Sequence, residues 1–367
     1  MKAIILIGGE ATRLRPLTCN TPKAMVPVLN RPFLEHVICH LSQHQVKEIV
    51  LALSRSQEFI QSYFGDGSQF GVRLRYTVED TPLGTAGAVK NTEKYLDETF
   101  LVLNGDIFTT LDITAMIEFH RDRKAKITIA LTPVDDPTSY GLVETNARSR
   151  IARFLEKPKR SEVTTNMINA GIYILEPNVL THIPPQANFS FERELFPLLL
   201  DRGEPVFAYP SSTYWIDIGA PEKYFQLNQD LLHSKCSAAQ YALGSGEKVR
   251  IGKQSHIHPT AQINGPAVIG DNCTIGQQVK LIGPVVIGSG CTIQPEAVVE
   301  ESIIWHKVQI GQRAVVKSSI IANNCHLHPD CYIADGSLLS DNVIVISGCQ
   351  LKPASKIWPG TRVEADT

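Results

Sequence analysis

Arg13 and Lys23 stand in one short run, "LIGGEATRLRPLTCNTPKAMVPV" (Leu6 to Val28), which opens with Gly8 and Gly9 directly after a strand-like start. A Gly-Gly turn lets backbone N–H groups approach an anion with no β-carbon in the way. Two fixed cations beside it suit a triphosphate and the pyrophosphate leaving from it. Pro16, Pro22 and Pro27 stiffen the loop, so less entropy is lost when it closes over a ligand. The run is too rich in Gly and Pro for a helix and too basic for core. Polyphosphate binding is the chemistry these residues offer.

Two acids suit the same chemistry. Asp106 ends the apolar run "TFLVLNGD", and a carboxylate at the carboxyl tip of a strand can hold Mg2+ against triphosphate oxygens. An Asp there is also a common turn residue. Asp217, in "YWIDIG", is framed by aromatic and β-branched side chains, where an unpaired carboxylate is costly and a cation partner is expected. Two such acids from distant positions are what a magnesium site of this type requires.

The elements that must position these groups fall into two rhythms. From Met1 to about Ser234, short β-branched runs ("KAIILI", "EIVLAL", "VRLRYTV", "TFLVLNGD") alternate with stretches of helical spacing ("FLEHVICHLSQH", "SQEFIQSYF", "GAVKNTEKYL", "ITAMIEFHRDR"). The alternation predicts an α/β, Rossmann-like domain with a mixed, mostly parallel sheet and helices on both faces. Ligands of such sheets bind at the carboxyl ends of the strands, where the opening loop sits. Between Asp135 and Pro210 extra strands such as "GLVETN" and "INAGIYIL" suggest an inserted, substrate-side subdomain.

The rhythm then changes to six. Ile251, Ile257, Ile263, Ile269, Ile275, Leu281, Ile287, Ile293 and Val299 begin the series, which slips by one residue to Ile304 and again to Ile321 before running on to Val363. Four residues after most of these sits a small side chain, and Cys273, Cys291, Cys325, Cys331 and Cys349 occupy that slot. One large and one small inward residue per hexad suits a triangular β-solenoid, with free Cys as a small hydrophobe. The pattern resembles the left-handed parallel β-helix of hexapeptide repeats. The expected division is therefore an α/β domain at 1–234, a linker at 235–250 and a β-helix at 251–367.

Bulk composition bounds the rest. The chain has 367 residues, 43% hydrophobic and 20% charged, which suits two or three ordinary globular domains. A formal net charge of -2 gives no electrostatic case for nucleic acid or an anionic membrane. The apolar start stops at Gly8, shorter than a signal-peptide core, and no stretch reaches membrane-spanning length. A cytoplasmic, reducing location is the expectation. The eight cysteines show no CxxC or zinc-like spacing.

"GGEATRLRPLT" followed by "PKAMVPV" resembles the signature of the sugar-1-phosphate nucleotidyltransferases, the nucleotide-sugar pyrophosphorylases. Within them it is most similar to the mannose-1-phosphate guanylyltransferase-like branch. "TPLGTAGAV" from Thr81, "LNGD", "YGLVE" from Tyr140, "FLEKP", "NAGIYI" from Asn169 and "YWIDIG" follow in the family's order. The resemblance implies transfer of a nucleotidyl group from a nucleoside triphosphate to a sugar 1-phosphate, with GTP and mannose 1-phosphate as the first expectation and Mg2+ as cofactor. It implies Arg13, Lys23, Asp106 and Asp217 as the catalytic set, with Asp106 and Asp217 carrying the metal. Leu6, Gly8, Gly9, Gly84 and Thr85 would contact the nucleotide; Gly141, Glu156, Lys157 and Asn169 would hold the sugar phosphate. "TPLGTAG" also reads as a helix start capped by Thr85. The family's usual glycine is Ala11 here. A positive φ at that position would strain Ala by about 1 kcal/mol or more.

Alternatives stay open at this point. Glucose 1-phosphate with UTP or dTTP fits the same motifs, because base choice rests on a few hydrogen bonds. A non-catalytic, nucleotide-sugar-binding paralogue is favoured only by Ala11. Acyl transfer on the β-helix would use one of His256, His258, His306, His326 or His328. The flat faces and open end of a β-helix favour a homo-oligomer.

Overall fold

The computed structural model describes residues 1–9, 11–54, 58–235 and 248–364. Two compact units emerge, and they do not follow chain order: Met1–Glu10 with Leu34–Ile216, and Ala11–Phe33 with Asp217–Thr367. Most of the expected 235–250 linker lies outside the described residues.

The first unit is built on a nine-stranded sheet flanked by helices. Lys2–Ile7, rich in β-branched residues and buried at Ala3, Ile4, Ile5 and Ile7, lies at the centre between Phe100–Asn104 and Glu48–Leu53, parallel to both. Arg73–Val78 extends the parallel set. On the other side Met167–Leu175 runs antiparallel to Phe100–Asn104 and bridges to Gly141–Thr145 and Ile127–Pro133. Only Met167–Leu175 and Ile151–Glu156 oppose the remaining strands, so the sheet is mixed and mostly parallel. The strands expected to form an inserted subdomain are continuous with this sheet, because Met167–Leu175 pairs with Phe100–Asn104 on one side and with Ile127–Pro133 on the other, and meets Gly141–Thr145 at Ile168.

Local chemistry sets the helix limits. The helix expected over "GAVKNTEKYL" ends at Lys90. Thr92 turns its hydroxyl back to the Val89 carbonyl (2.7 Å) and a short 3-10 turn, Glu93–Tyr95, follows. Short hydroxyl side chains compete with helical backbone bonding in this way. No helix among the described residues is long and apolar enough to cross a membrane.

The second unit contains the solenoid. Its strands stack in three parallel walls. The first includes Ala267–Ile269, Val285–Ile287, Ile303–Ile304, Ile320–Ile321 and Leu338–Leu339; equivalent inward residues are in register from coil to coil. The inward hexad residues from Ile269 to Leu351, with Val363 and all five solenoid cysteines, form one buried core; Ile257, Ile263 and Ile357 pack half-buried against it, and Ile251 at the first coil is exposed. Burial pushes the Cys325 thiol up to about 12 and its Sγ lies 3.0 Å from the Ser340 carbonyl, consistent with packing rather than reactivity. The two slips, Val299 to Ile304 and Val316 to Ile321, shorten one corner by a residue each. Ser302 and Ser319 stand at those corners, and the Ser319 N–H donates to the Ser302 hydroxyl at 3.1 Å.

One wall differs from the other two. Its outward residues Val268, Val286, Ile303, Ile320 and Leu338 are buried, whereas Thr274, Gln309 and His326 on the second wall and Lys280 and Gln350 on the third are exposed. Strand side chains alternate between faces. An apolar residue on the outer face of one wall therefore marks a wall buried on both sides.

Candidate active site

The loop that follows the first strand is ordered by its apolar residues. Leu14, Leu17, Ala24, Val26 and Val28 are all buried. Between them the chain forms two single-turn 3-10 segments, Thr12–Leu14 and Lys23–Met25. Arg13 and Lys23 lie on these turns. Ala11 opens the first of them at φ 47°, ψ 39°, left-handed backbone that an L-residue adopts only with strain. Its carbonyl accepts from the Thr18 hydroxyl (2.9 Å) and from the Leu14 N–H (3.0 Å), which holds it there. Gly9, in the first unit, is at φ 85°.

Arg13 and Lys23 converge on Asp217. Arg13 Nη2 lies 3.9 Å from Oδ2, and Lys23 Nζ lies 3.7 Å from Oδ1. Asp217 and Lys23 each leave 15% of the side chain accessible, and Arg13 leaves 69%. The Gly219 N–H donates to Asp217 Oδ1 at 2.7 Å and fixes the carboxylate. The expected cation partner of Asp217 is thus a pair. Both separations exceed hydrogen-bond length, so these two contacts are electrostatic. With Arg13 so exposed, the pairing contributes little stability. Its effect is on position.

In the first unit, Asp106 lies in the turn after Phe100–Asn104. The preceding Gly105 donates its N–H to the Leu6 carbonyl (2.9 Å), and a β-carbon there would lie 2.5 Å from that oxygen. The turn bearing Asp106 is thereby tied to the end of the central strand, where Leu6, Gly8 and Gly9 follow. Asn104 Oδ1 is buried with no protein partner, and such an orphan costs about 1–3 kcal/mol unless something else supplies the bond. Among the described residues no group of three or more His, Cys, Asp or Glu is gathered to hold a metal ion. Asp106 and Asp217 offer hard carboxylate oxygens of the kind Mg2+ takes, and Asn104 leaves a polar oxygen unsatisfied by protein near the first of them. Each carboxylate, taken within its own unit, has the hard-oxygen chemistry of a divalent-cation ligand.

Thr85 is not the cap of its helix. Gly84–Lys90 begins one residue earlier, and the Thr85 hydroxyl donates to Glu192 Oε2 (3.0 Å) while accepting the Phe191 N–H (2.9 Å). Gly84 packs on the chain at 188–189, where a β-carbon would lie 2.8 Å from the Phe189 carbonyl oxygen.

Glu192 is the residue that sequence reasoning missed. Besides Thr85 it accepts from Ser190 Oγ (2.7 Å) and from the buried Tyr173 hydroxyl (3.1 Å). Tyr173 in turn accepts from Asn169 Nδ2 (2.8 Å), and Asn169 Oδ1 accepts the Gly171 N–H (2.9 Å). Burial first, then the Glu192 charge, push the Glu156 carboxyl above its ordinary value, with Lys157 and Arg193 pulling the other way. Gly141 gives Glu156 room: a β-carbon there would lie 3.0 Å from Oε2. Lys157 follows the strand as an exposed residue, its N–H bonded to the Tyr140 carbonyl at 3.0 Å. The structure thus links Thr85, Asn169 and, electrostatically, Glu156 through one carboxylate. No local pattern announces Glu192, whose partners Thr85 and Tyr173 are remote in sequence.

Two solenoid histidines bond to backbone, one across neighbouring coils and one within its own turn. His306 Nδ1 accepts the Ser289 N–H (2.9 Å), and burial, then Lys307, lower its pKa. His258 Nδ1 accepts the Thr260 N–H (3.2 Å).

Comparison with known proteins places the chain in a family. Residues 2–234 match the nucleotidyl transferase family model, 248–283 the bacterial transferase hexapeptide model, and 279–367 the GMPPB C-terminal domain model. The chain is similar to mannose-1-phosphate guanyltransferase of Aspergillus fumigatus, 36% identical over 100% of this chain and 99% of that protein. It is also similar to UTP–glucose-1-phosphate uridylyltransferase of Synechocystis, 36% identical over 88% of this chain and 87% of that one. Among solved structures, HddC from Yersinia pseudotuberculosis complexed with GMP-PN is 31% identical, with a TM-score of 0.55, over 62% of this chain and 98% of that one. The chain belongs to the nucleotidyl transferase family and is an enzyme of the mannose-1-phosphate guanylyltransferase-like kind.

Proposed function

We propose that the protein joins GTP and mannose 1-phosphate to make GDP-mannose and pyrophosphate. The observation that carries this reading is the convergence of Arg13 and Lys23 on Asp217 in a chain that matches guanylyltransferases along its whole length. An oxygen of the sugar phosphate attacks the α-phosphorus of the nucleotide, the bond to the β-phosphate oxygen breaks, and its electron pair leaves with pyrophosphate. The attacking oxygen is already anionic, so no general base is needed. Arg13 and Lys23 neutralise charge gathering on the departing diphosphate. Gly141, Glu156, Lys157 and Asn169 hold the sugar phosphate, and Leu6, Gly8, Gly9, Gly84 and Thr85 hold the nucleotide. Asp106 and Asp217 would hold Mg2+, which when bound neutralises phosphate oxygens and aligns them.

The reading carries with it a division into 1–234, 235–250 and 251–367, a cytoplasmic location, and self-association. The exposed Ile251 and Trp358, near the two ends of the solenoid, favour the last. A second reading, glucose 1-phosphate with UTP, is favoured by the equally similar uridylyltransferase. Magnesium-dependent pyrophosphate release across a matrix of nucleoside triphosphates and sugar 1-phosphates tests both. GTP with mannose 1-phosphate is expected to give the highest kcat/KM. A preference for UTP with glucose 1-phosphate overturns the first reading in favour of the second, and nucleotide-sugar binding without turnover overturns both.

A further inference from the structure

The doubly buried wall of the solenoid is bonded to the segments that carry the charged site. Ser340 Oγ donates to the Pro16 carbonyl at 2.8 Å. The Tyr224 hydroxyl donates to the Pro27 carbonyl at 2.5 Å and accepts from Trp305 Nε1 at 3.0 Å. Asn228 Oδ1 accepts the Leu29 N–H (3.0 Å), and Asn30 Nδ2 donates to the Ile287 carbonyl (2.7 Å). Gln229 reaches the Pro284 and Glu301 carbonyls, each at 3.4 Å. Ser340, Trp305, Tyr224 and Asn228 are at most 1% exposed. Water cannot replace a lost partner at such positions, so each bond enforces its geometry.

These bonds bracket the charged residues. Pro16 follows Arg13 by three residues, Pro27 follows Lys23 by four, and Asp217 stands four residues before Pro221, the start of the helix Pro221–Leu232 that bears Tyr224 and Asn228. The two 3-10 turns holding Arg13 and Lys23 are three residues each, too short to hold their own shape. A solenoid needs only its inward residues to fold; an outward Trp305 and Ser340 have no part in that core.

We propose that this wall of the β-helix is the bed on which Arg13 and Lys23 are aligned with Asp217, with Ser340, Tyr224 and Trp305 as positioning residues for nucleotidyl transfer. The proposal rests on the reading of Arg13 and Lys23 as the triphosphate cradle. It gives the solenoid a direct part in the chemistry of residues far from it in sequence, with no second activity required.

The test compares full-length wild type with Ser340→Ala, Tyr224→Phe and a control, Ser337→Ala. Ser337 is equally buried but bonds only within the solenoid, to the Ala334 and Lys352 carbonyls. Two quantities are read on each: the KM for each substrate with kcat, and amide hydrogen exchange over residues 11–33. Ser340→Ala and Tyr224→Phe are expected to lower kcat/KM for the triphosphate by about tenfold, raise its KM, leave the sugar-phosphate KM within about twofold, and speed exchange in 11–33. Ser337→Ala is expected to shift the melting temperature alone. If Ser340→Ala matches Ser337→Ala in kinetics and exchange, the proposal is overturned, and this variant decides the matter even if Tyr224→Phe does not fold. A wild type inactive on every substrate pair would remove the cradle reading, and exchange in 11–33 would still report whether the wall holds the loop. Loss of activity in Arg13→Ala with none in Ser340→Ala would leave the cradle standing and sink the bed.

Discussion

A β-carbon on Gly219 would lie 2.5 Å from Arg13 Nη2 and 2.9 Å from Asp217 Oδ1. The missing side chain is what admits the guanidinium to the carboxylate. The obstructed atom is the tip of a flexible side chain, so in Gly219→Ala the arginine moves and the fold stays. Pyrophosphate release should fall by about 10²-fold in kcat/KM, the scale for losing one preorganised charge. The melting temperature should stay within about 2 °C. Unchanged kinetics would mean that Arg13 acts from another position.

Ala11 already occupies the left-handed backbone that a glycine would favour. Replacing it with Gly relieves about 1 kcal/mol of strain but frees the unfolded chain by a similar amount. Ala11→Gly should therefore alter stability by less than about 1 kcal/mol in urea titration. Ala11→Val, β-branched at the same φ, should cost about 1–3 kcal/mol. A gain of several kcal/mol in the Gly variant would show that the methyl group clashes as well.

Glu192→Gln keeps the shape of the hub that joins Thr85 and Tyr173 while removing its charge. Glu156 then loses one of the two influences that raise its pKa, so it ionises at lower pH. The acid-side rise in KM for the sugar phosphate should move to lower pH, with the KM for the nucleotide little changed at neutrality. A profile identical to wild type would separate Glu192 from Glu156.

His40 is lowered to about 4 by burial first and by His44 second; the Leu111 carbonyl, which accepts from Nε2 at 2.9 Å, and Asp112 oppose them. Its folded value lies below the ordinary 6.5, so the unfolded chain takes up the proton first. Stability is then fully present above about pH 6.5 and falls toward pH 4, by up to roughly 3 kcal/mol. His40→Gln, which can keep a donor toward Leu111, should flatten that slope in urea titrations at pH 7.5 and 4.5. An equal slope would move the effect to other groups.

Periodic features were legible in the sequence because period reports burial directly. The inward hexads, their cysteines and the parallel strands of the first unit follow from that alone. Their outward neighbours held a further signal, since Val268, Val286, Ile303, Ile320 and Leu338 keep one wall apolar over five successive coils, while polar Thr274, Gln309, Lys280 and Gln350 interrupt the other two. The site was legible where charge stands beside glycine, as with Arg13 and Lys23. Glu192 was not, because its role comes from partners brought in by the fold. The φ of Ala11 was not either, since an alanine carries no mark of the backbone it is forced to adopt. Ser340 looked like one more small residue, and only the Pro16 carbonyl opposite gives it meaning.

Repeat proteins commonly gain or lose units without harm, and the bonds from this wall set a limit on that freedom. Asn30 is held at the coil of Ile287 and Pro16 at the coil of Ser340, three rungs apart through Ile304, Ile321 and Leu339. At about 4.8 Å per rung the solenoid is a ruler of about 14 Å laid along the loop. Adding or deleting one rung inside that span would put the two anchors out of step, whereas rungs beyond Val345 bear none of the measured length.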